Sequence, residues 1–366
     1  MRLLFVSDVN AVHSRRWASE MVHRGHEVAF LSVRPGDLDG VEVIDRDPGD
    51  LPAPKWLRTA RHIRFLWLLR RMISQGNFDI VHVHYLRADA IGLVASRHPR
   101  TVISVWGSDI RPVKDGGDPR RTQLRRRALE RAALVTATNN FLADIVRGTA
   151  PSVARLEIVP FGVDLTRFDR TRWTPSSDGG IRFCLVKPRL MKLYGPDIAI
   201  RAFATVAKKS PKASLLLVGS GELSYVEELK TLAKDLRIDN QVIFREKVGY
   251  SDVPSIFENA DVLLQPSRWE SFGVVILEAA AVGVPAIGTD VGGVSELLVD
   301  AKAGLLVPPE DPEALADMML RLAADEELRS RLGQNAYRMV RENYDFHSNA
   351  DHMERLYMEL VKGVSA

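Results

Sequence analysis

Short, largely apolar runs alternate with segments of helical period along this chain, and the alternation occurs twice. In the first half the apolar runs fall at 2–7, 27–33, 79–84, 101–105, 134–138 and 156–159. In the second half they fall at 181–186, 213–219, 241–245, 260–265 and 285–289. Runs of this length without polar alternation are strands buried on both faces, so each half predicts a parallel sheet covered by helices on either side. A helix is expected over 14–24, with Ser14 as its N-cap and Gly25 as its stop, and a longer one over 55–74 ended by Gly76. Between the halves, Pro160 to Gly180 breaks the rhythm with Pro175, two serines and Gly179-Gly180, and reads as a linker. After the second set of strands, Asp311-Pro312 opens a helix with a cap and a first-turn proline. Two further helices, over 326–342 and 346–361, follow.

Length agrees with two domains: 366 residues exceed the roughly 250–300 at which a single core stops growing. Hydrophobic residues at 46% and charged ones at 27% are those of a globular domain and exclude disordered, collagenous and disulfide-scaffold classes. The one cysteine, Cys184, cannot form an intramolecular disulfide, and no apolar run approaches the roughly 18 residues of a membrane span, so a cytoplasmic protein is expected. Charge is uneven. Residues 1–160 hold 25 Lys plus Arg against 17 Asp plus Glu, and the remainder holds 25 against 30. A basic half joined to an acidic half either faces an anionic partner or is a chance asymmetry of a solvated surface.

The most informative stretch is residues 265–293, QPSRWESFGVVILEAAAVGVPAIGTDVGG. A buried strand ends at Pro266-Ser267 and a helix of small residues starts near Phe272. The backbone N–H groups of Phe272, Gly273 and Val274 then form an anion site at a helix N-terminus. Glu270 stands just before that site and Glu278 eight residues later, so two carboxylates flank the place where a diphosphate would rest, in reach of sugar and ribose hydroxyls. Two glutamates eight apart also arise as a capping acid and a surface acid around an ordinary turn. The surrounding Ser-x-x-Glu-Ser-Phe-Gly, the Glu-Ala-x-Ala-x-Gly-x-Pro and the later Gly292-Gly293-Val294-Ser295-Glu296 make the joint pattern far more specific.

This stretch resembles the E-x7-E signature of the retaining glycosyltransferases of family 4. The resemblance extends over nearly the whole chain, through DIVHVH at 79–84, WGSD at 106–109, FGVD at 161–164, LVGSGE at 217–222 and GLLVPP at 304–309. It implies the GT-B fold: an α/β protein of two doubly wound, Rossmann-like domains facing a cleft. The acceptor domain would be 1–165, the donor domain 166–345, and the C-terminal helix 346–366 would pack back on the first domain. The implied activity is transfer of a sugar from a nucleotide-sugar donor to a hydroxyl acceptor, in polysaccharide, glycolipid or glycoside biosynthesis, with no metal or other cofactor. Glu270 would hold donor-sugar hydroxyls, Glu278 the ribose, and Ser271, Phe272, Gly273 and Val274 the phosphates or sugar. Gly219 and Gly221 would let the nucleotide approach the backbone, and Lys247 and Val248 would line the base. The family's basic pair lies in G-R-L-x-x-x-K-G. Here the stretch reads Pro188-Arg189-Leu190-Met191-Lys192-Leu193-Tyr194-Gly195, so Arg189 matches, Tyr194 stands at the lysine position, and Lys192 is the nearest lysine.

On the acceptor side the usual Gly-Gly after the first strand is replaced by Asp8-Val9-Asn10 and His13. His13 and Asp109 are the candidates to steady the acceptor nucleophile. His82 and His84 alternate on their strand, with one of them expected to face the core. Two Asp-x-Asp triplets, 37–39 and 45–47, lie in the first half and read as acidic surface loops rather than metal ligands. The basic, aromatic stretch 56–73, with Arg120, Arg121, 125–127 and Arg131, has two readings. It is either peripheral contact with an anionic membrane at the inner face of the plasma membrane, or a core helix with its arginines on the wet side. No motif supports nucleic-acid binding. The alternatives to a transferase are a GT-B epimerase or phosphorylase, and a catalytically silent nucleotide-binding partner.

Overall fold

The computed structural model describes residues 1–45, 55–86, 89–111, 121–168, 170, 173, 180–300 and 302–363. Arg46 and Asp47 of the second acidic triplet, residues 56–58 of the basic stretch as regards their side chains, Arg120, much of the 160–180 segment and the last three residues lie outside that description. The chain forms two compact units, Met1–Phe161 with Ser348–Ala366, and Gly162–His347. The first division thus falls four residues before the expected 165/166 boundary.

In the first unit the strands are β1 (Arg2–Ser7), β2 (Glu27–Ser32), β3 (Glu42–Asp45), β4 (Ile80–His84), β5 (Thr101–Val105), β6 (Leu134–Ala137) and β7 (Leu156–Ile158). Among the described residues they pair in the order β3-β2-β1-β4-β5-β6-β7, and every pairing is parallel. Leu4, Val6, Leu31, Val81, Ile103 and Val135 form one core under the helices. β3 was not anticipated, because Glu42-Val-Ile-Asp45 is a short edge strand without a continuous apolar run, and Asp45 closes it. The first helix runs Val12–His23 with Ala11 at its N-cap. Ser14 is therefore not the cap: it lies inside the first turn, buried, with its hydroxyl on Ser7 Oγ at 3.0 Å.

The C-terminal helix Phe346–Lys362 supplies Ser348 onward to this unit. Its Asp351 and Glu354 accept from the Arg24 guanidinium at 2.5 and 2.9 Å, and Glu359 accepts from Arg155 at 2.8 Å. Tyr357 is fully buried, its hydroxyl 2.5 Å from His82 Nδ1.

The second unit has β8 (Arg182–Arg189), β9 (Ser214–Ser220), β10 (Val242–Arg245), β11 (Val262–Gln265), β12 (Ala286–Thr289) and β13 (Gly304–Val307), in the order β10-β9-β8-β11-β12-β13 among the described residues. Phe183, Leu185, Phe203, Leu217, Leu264 and Ile287 lie in its core. Asp311 caps the helix Pro312–Ala324 by accepting from Ala314 N at 2.9 Å. Part of the expected linker belongs to this unit: Val163 N donates to Tyr344 O at 2.8 Å, and Trp173 Nε1 to Ala260 O at 2.8 Å. In both sheets the strand order reverses beside the first strand of the unit, β1/β4 in one and β8/β11 in the other. Doubly wound sheets bind ligands outside the carboxyl ends of the strands at that reversal.

Candidate functional site

At the β8/β11 reversal, β11 ends in Gln265, and the loop 266–273 leads into the helix Val274–Val282. Gly273 adopts φ +93°, a left-handed conformation that glycine takes without a Cβ penalty, and this turn sets the helix N-terminus against the strand ends. The loop is tied down where it leaves β11. Thr289 Oγ1 donates to Ser267 O at 2.5 Å, and Arg268 N donates to Leu193 O at 2.8 Å. The Arg268 guanidinium reaches both Asp197 oxygens at 2.9 and 2.8 Å and also pairs with Glu310. Burial alone would raise the Asp197 pKa, and the Arg268 hydrogen bonds hold it below the ordinary value instead.

Glu270 is placed by three donors. Gln265 Nε2 and Lys187 Nζ each lie 2.7 Å from Oε2, and Ser271 N lies 3.2 Å from Oε1. The Ser271 N–H is thus taken by the neighbouring carboxylate, and Phe272 buries its ring against Tyr344 at 5.9 Å. Gly273 and Val274 head the helix, where the first N–H groups have no acceptor within the helix. Glu278 is buried in that helix.

Arg189 ends β8, exposed, opposite Ser220 of β9. Gly219 has a reason inside the protein. A Cβ there would come 2.3 Å from Lys187 O, so the glycine lets β9 pass the β8 backbone. Gly221 follows, where a Cβ would meet the Val226 side chain at 2.7 Å. Lys247 and Val248 follow edge strand β10, exposed and half-buried respectively. Lys192 is exposed and lines a groove with Asp197, Arg201, Tyr225, Glu227 and Glu228. The ammonium that meets Glu270 belongs instead to Lys187, which stands just past the apolar run 181–186.

The β1/β4 reversal of the first unit is different in kind. A cavity of about 280 Å³ is walled by Val6, Val33, Val83 and Ile91, with Asp8, His13, Tyr85 and Trp106 also lining it. His13 stacks on Phe161 with ring centroids 3.9 Å apart and meets Trp106 edge-on at 5.9 Å. Burial, with the Arg16 charge adding to it, lowers the His13 pKa well below the imidazole norm and keeps the ring neutral.

Asp109 is buried, and its carboxylate accepts from Gly107 N at 2.7 Å, Leu86 N at 2.9 Å and Trp106 N at 3.1 Å. Burial raises its pKa against those donors. Of the two acceptor-side candidates, the structure brings His13 to the cavity and spends Asp109 on the loop beneath Trp106. His82 and His84 do not divide between two faces, because residues two apart on a strand share a face. Both are buried, with His84 Nε2 3.2 Å from His82 Nδ1 and His82 Nε2 2.7 Å from Ser104 Oγ. Desolvation lowers both pKa values, that of His84 to about 3.

No helix among the described residues is long and apolar enough to cross a membrane. On the helix Lys55–Gln75, Phe65, Leu68 and Leu69 face the core, while Ile63 and Trp67 are 61% and 56% exposed. Exposed Arg64, Arg70 and Arg71 share that outer side, the last over the Trp67 ring.

Comparison with known proteins places the chain. Residues 11–167 match the model described as Glycosyltransferase Family 4, and residues 168–339 match Glycosyl transferases group 1. D-inositol 3-phosphate glycosyltransferase of Pseudarthrobacter chlorophenolicus is 30% identical over 73% of this chain and 68% of its own. N-acetyl-alpha-D-glucosaminyl L-malate synthase of Bacillus anthracis is 29% identical over 94% and 92%. The fold is shared with Anabaena HepE, solved in complex with UDP-glucose, at a TM-score of 0.77 and 19% identity over 98% of this chain and 100% of that one. The chain belongs to the family 4 type of GT-B glycosyltransferases.

Proposed function

We propose that the protein moves a glycosyl group from a nucleotide-diphosphate sugar to a hydroxyl acceptor with retention and without a metal, in the assembly of a polysaccharide, glycolipid or glycoside. The observation that carries this reading is the carboxylate of Glu270, oriented by Gln265 and Lys187 beside the N-terminus of the helix Val274–Val282. An acceptor of sugar hydroxyls then stands next to a site for anionic oxygen, which is what a nucleotide-diphosphate sugar requires. Arg189 would neutralise the leaving phosphate, Glu278 would hold the ribose, and Gly221, Lys247 and Val248 would border the nucleotide.

The acceptor would enter the cavity at His13, whose neutral ring can accept a hydrogen bond from the attacking hydroxyl. Attack on the face the phosphate leaves retains the configuration. The acceptor oxygen forms the new C–O bond as the sugar–phosphate bond breaks, and the departing phosphate oxygen takes the acceptor proton. The complex of HepE with UDP-glucose makes uridine donors the first to try.

The outer side of the helix Lys55–Gln75, with Trp67 and Ile63 among arginines, supports peripheral contact with an anionic membrane at its cytoplasmic face. A thermal-shift screen of nucleotide sugars tests the reading. A true donor at about 100 times its Kd raises stability by about 2.7 kcal/mol, and no response to any nucleotide sugar would refute it. Turnover with that donor is expected to continue in EDTA, and the product's anomeric configuration, read by NMR, should match the donor's.

A further inference from the structure

Lys187 is a lysine in an unusual place. It lies within β8, 6% exposed, directly after the buried apolar run Phe183, Cys184, Leu185 and Val186. Its local geometry is irregular for an identifiable reason: Pro188 has no N–H for the ladder, and the β8/β9 register shifts between Val186 and Arg189. Such a bulge re-aims a side chain at the end of a strand. The ammonium sits 2.7 Å from Glu270 Oε2, and 4.5 Å from the centroid of the Tyr194 ring. An ammonium carries three N–H donors. Among the described residues Glu270 is the one hydrogen-bond acceptor it meets, and Tyr194 covers another side with a π face that attracts a cation. A buried cation with donors to spare, at the strand-order reversal and beside a helix N-terminus, is equipped for an anionic oxygen.

We propose that Lys187 is the second cation of the donor pocket: from β8 it binds the diphosphate of the nucleotide sugar, and Tyr194 is the platform its ammonium rests on. The assignment rests on the nucleotide-sugar reading above. It also accounts for the tyrosine at position 194. A lysine there would bring a second ammonium against the first, whereas an aromatic ring supports it. Without donor, the pairing with Glu270 keeps both buried charges satisfied and both groups in place. With donor, the carboxylate turns to sugar hydroxyls and the ammonium to phosphate oxygen.

The test is calorimetric titration of UDP, GDP and ADP into the full-length protein, with turnover on the matching nucleotide sugar. Lys187→Met is expected to weaken nucleoside diphosphate binding at least tenfold and to lower kcat/KM by roughly 10²-fold. Affinity for the bare nucleoside should stay unchanged. Adding Tyr194→Lys to Lys187→Met returns an ammonium to the pocket and should recover at least tenfold of both losses. In a Glu270→Gln background, which also keeps the pocket free of a buried unpaired carboxylate if Lys187→Met alone does not fold, Lys187→Met should still weaken diphosphate binding. Undiminished diphosphate affinity in Lys187→Met, no recovery with Tyr194→Lys, or no further loss in the Glu270→Gln background would each overturn the assignment while leaving the donor reading standing. A wild-type protein that binds none of the three diphosphates would instead remove the donor reading, and this role with it.

Discussion

The two units share one architecture and put opposite chemistry at the same place in it. Each is a parallel sheet whose strand order reverses beside its first strand. At β8/β11 the reversal holds charge: Lys187 paired with Glu270, exposed Arg189, and a helix N-terminus. At β1/β4 it holds an aliphatic cavity with aromatic rings and histidines kept neutral by burial. A fold supplies the location of a site, and the side chains at the strand ends decide its chemistry.

That contrast is breakable. The largest expected effects lie in the charged unit. Arg189→Ala should lower kcat on the order of 10²–10³-fold if its guanidinium neutralises the leaving phosphate, and wild-type turnover would remove it from the site. Glu270→Ala should cost a similar factor in kcat/KM, with folding intact by circular dichroism.

Next comes an effect of acid confined to the first unit. His82 and His84 have folded pKa values below those of the unfolded chain, so below about pH 6.5 the unfolded state binds more protons and stability falls as pH drops. Each contributes up to about 1.4 kcal/mol per pH unit across that window. Calorimetry between pH 7.5 and 5.5 should therefore show the first unit's transition moving down before the second's, and equal shifts would deny the contrast. A smaller effect is expected of Glu278→Ala: about tenfold weaker donor binding with kcat nearly kept, read by titration of the donor. Smallest is Tyr357→Phe, which removes the hydroxyl facing His82 and should cost about 1 kcal/mol in the first unit's transition.

Much of the fold was legible in the residues because strands buried on both faces must be largely apolar, as Leu3–Val6, Leu134–Val135 and Leu263–Leu264 are. Edge strands lack that constraint. Glu42–Asp45 mixes charge with valine and isoleucine, and went unseen. Gly304–Val307, half-buried over most of its length, was noticed only as part of a motif. Caps were legible where the side chain does the capping, as at Asp311, and misplaced at Ser14, whose hydroxyl prefers a tertiary partner on β1.

For the site, residues 265–283 alone place Glu270 and Glu278 on either side of a helix N-terminus, since a strand, a glycine turn and a run of small residues are local properties. They do not determine which cation meets Glu270. Lys192 lies nearer the expected position along the chain than Lys187 does, but it sits on a one-turn helix and lines the groove with Asp197 and Tyr225. Lys187 and Glu270 are 83 residues apart, and only the parallel pairing of β8 with β11, together with the bulge at Pro188, brings them to 2.7 Å. A buried lysine breaks the pattern by which strands are read, and its partner exists only once the sheet has formed.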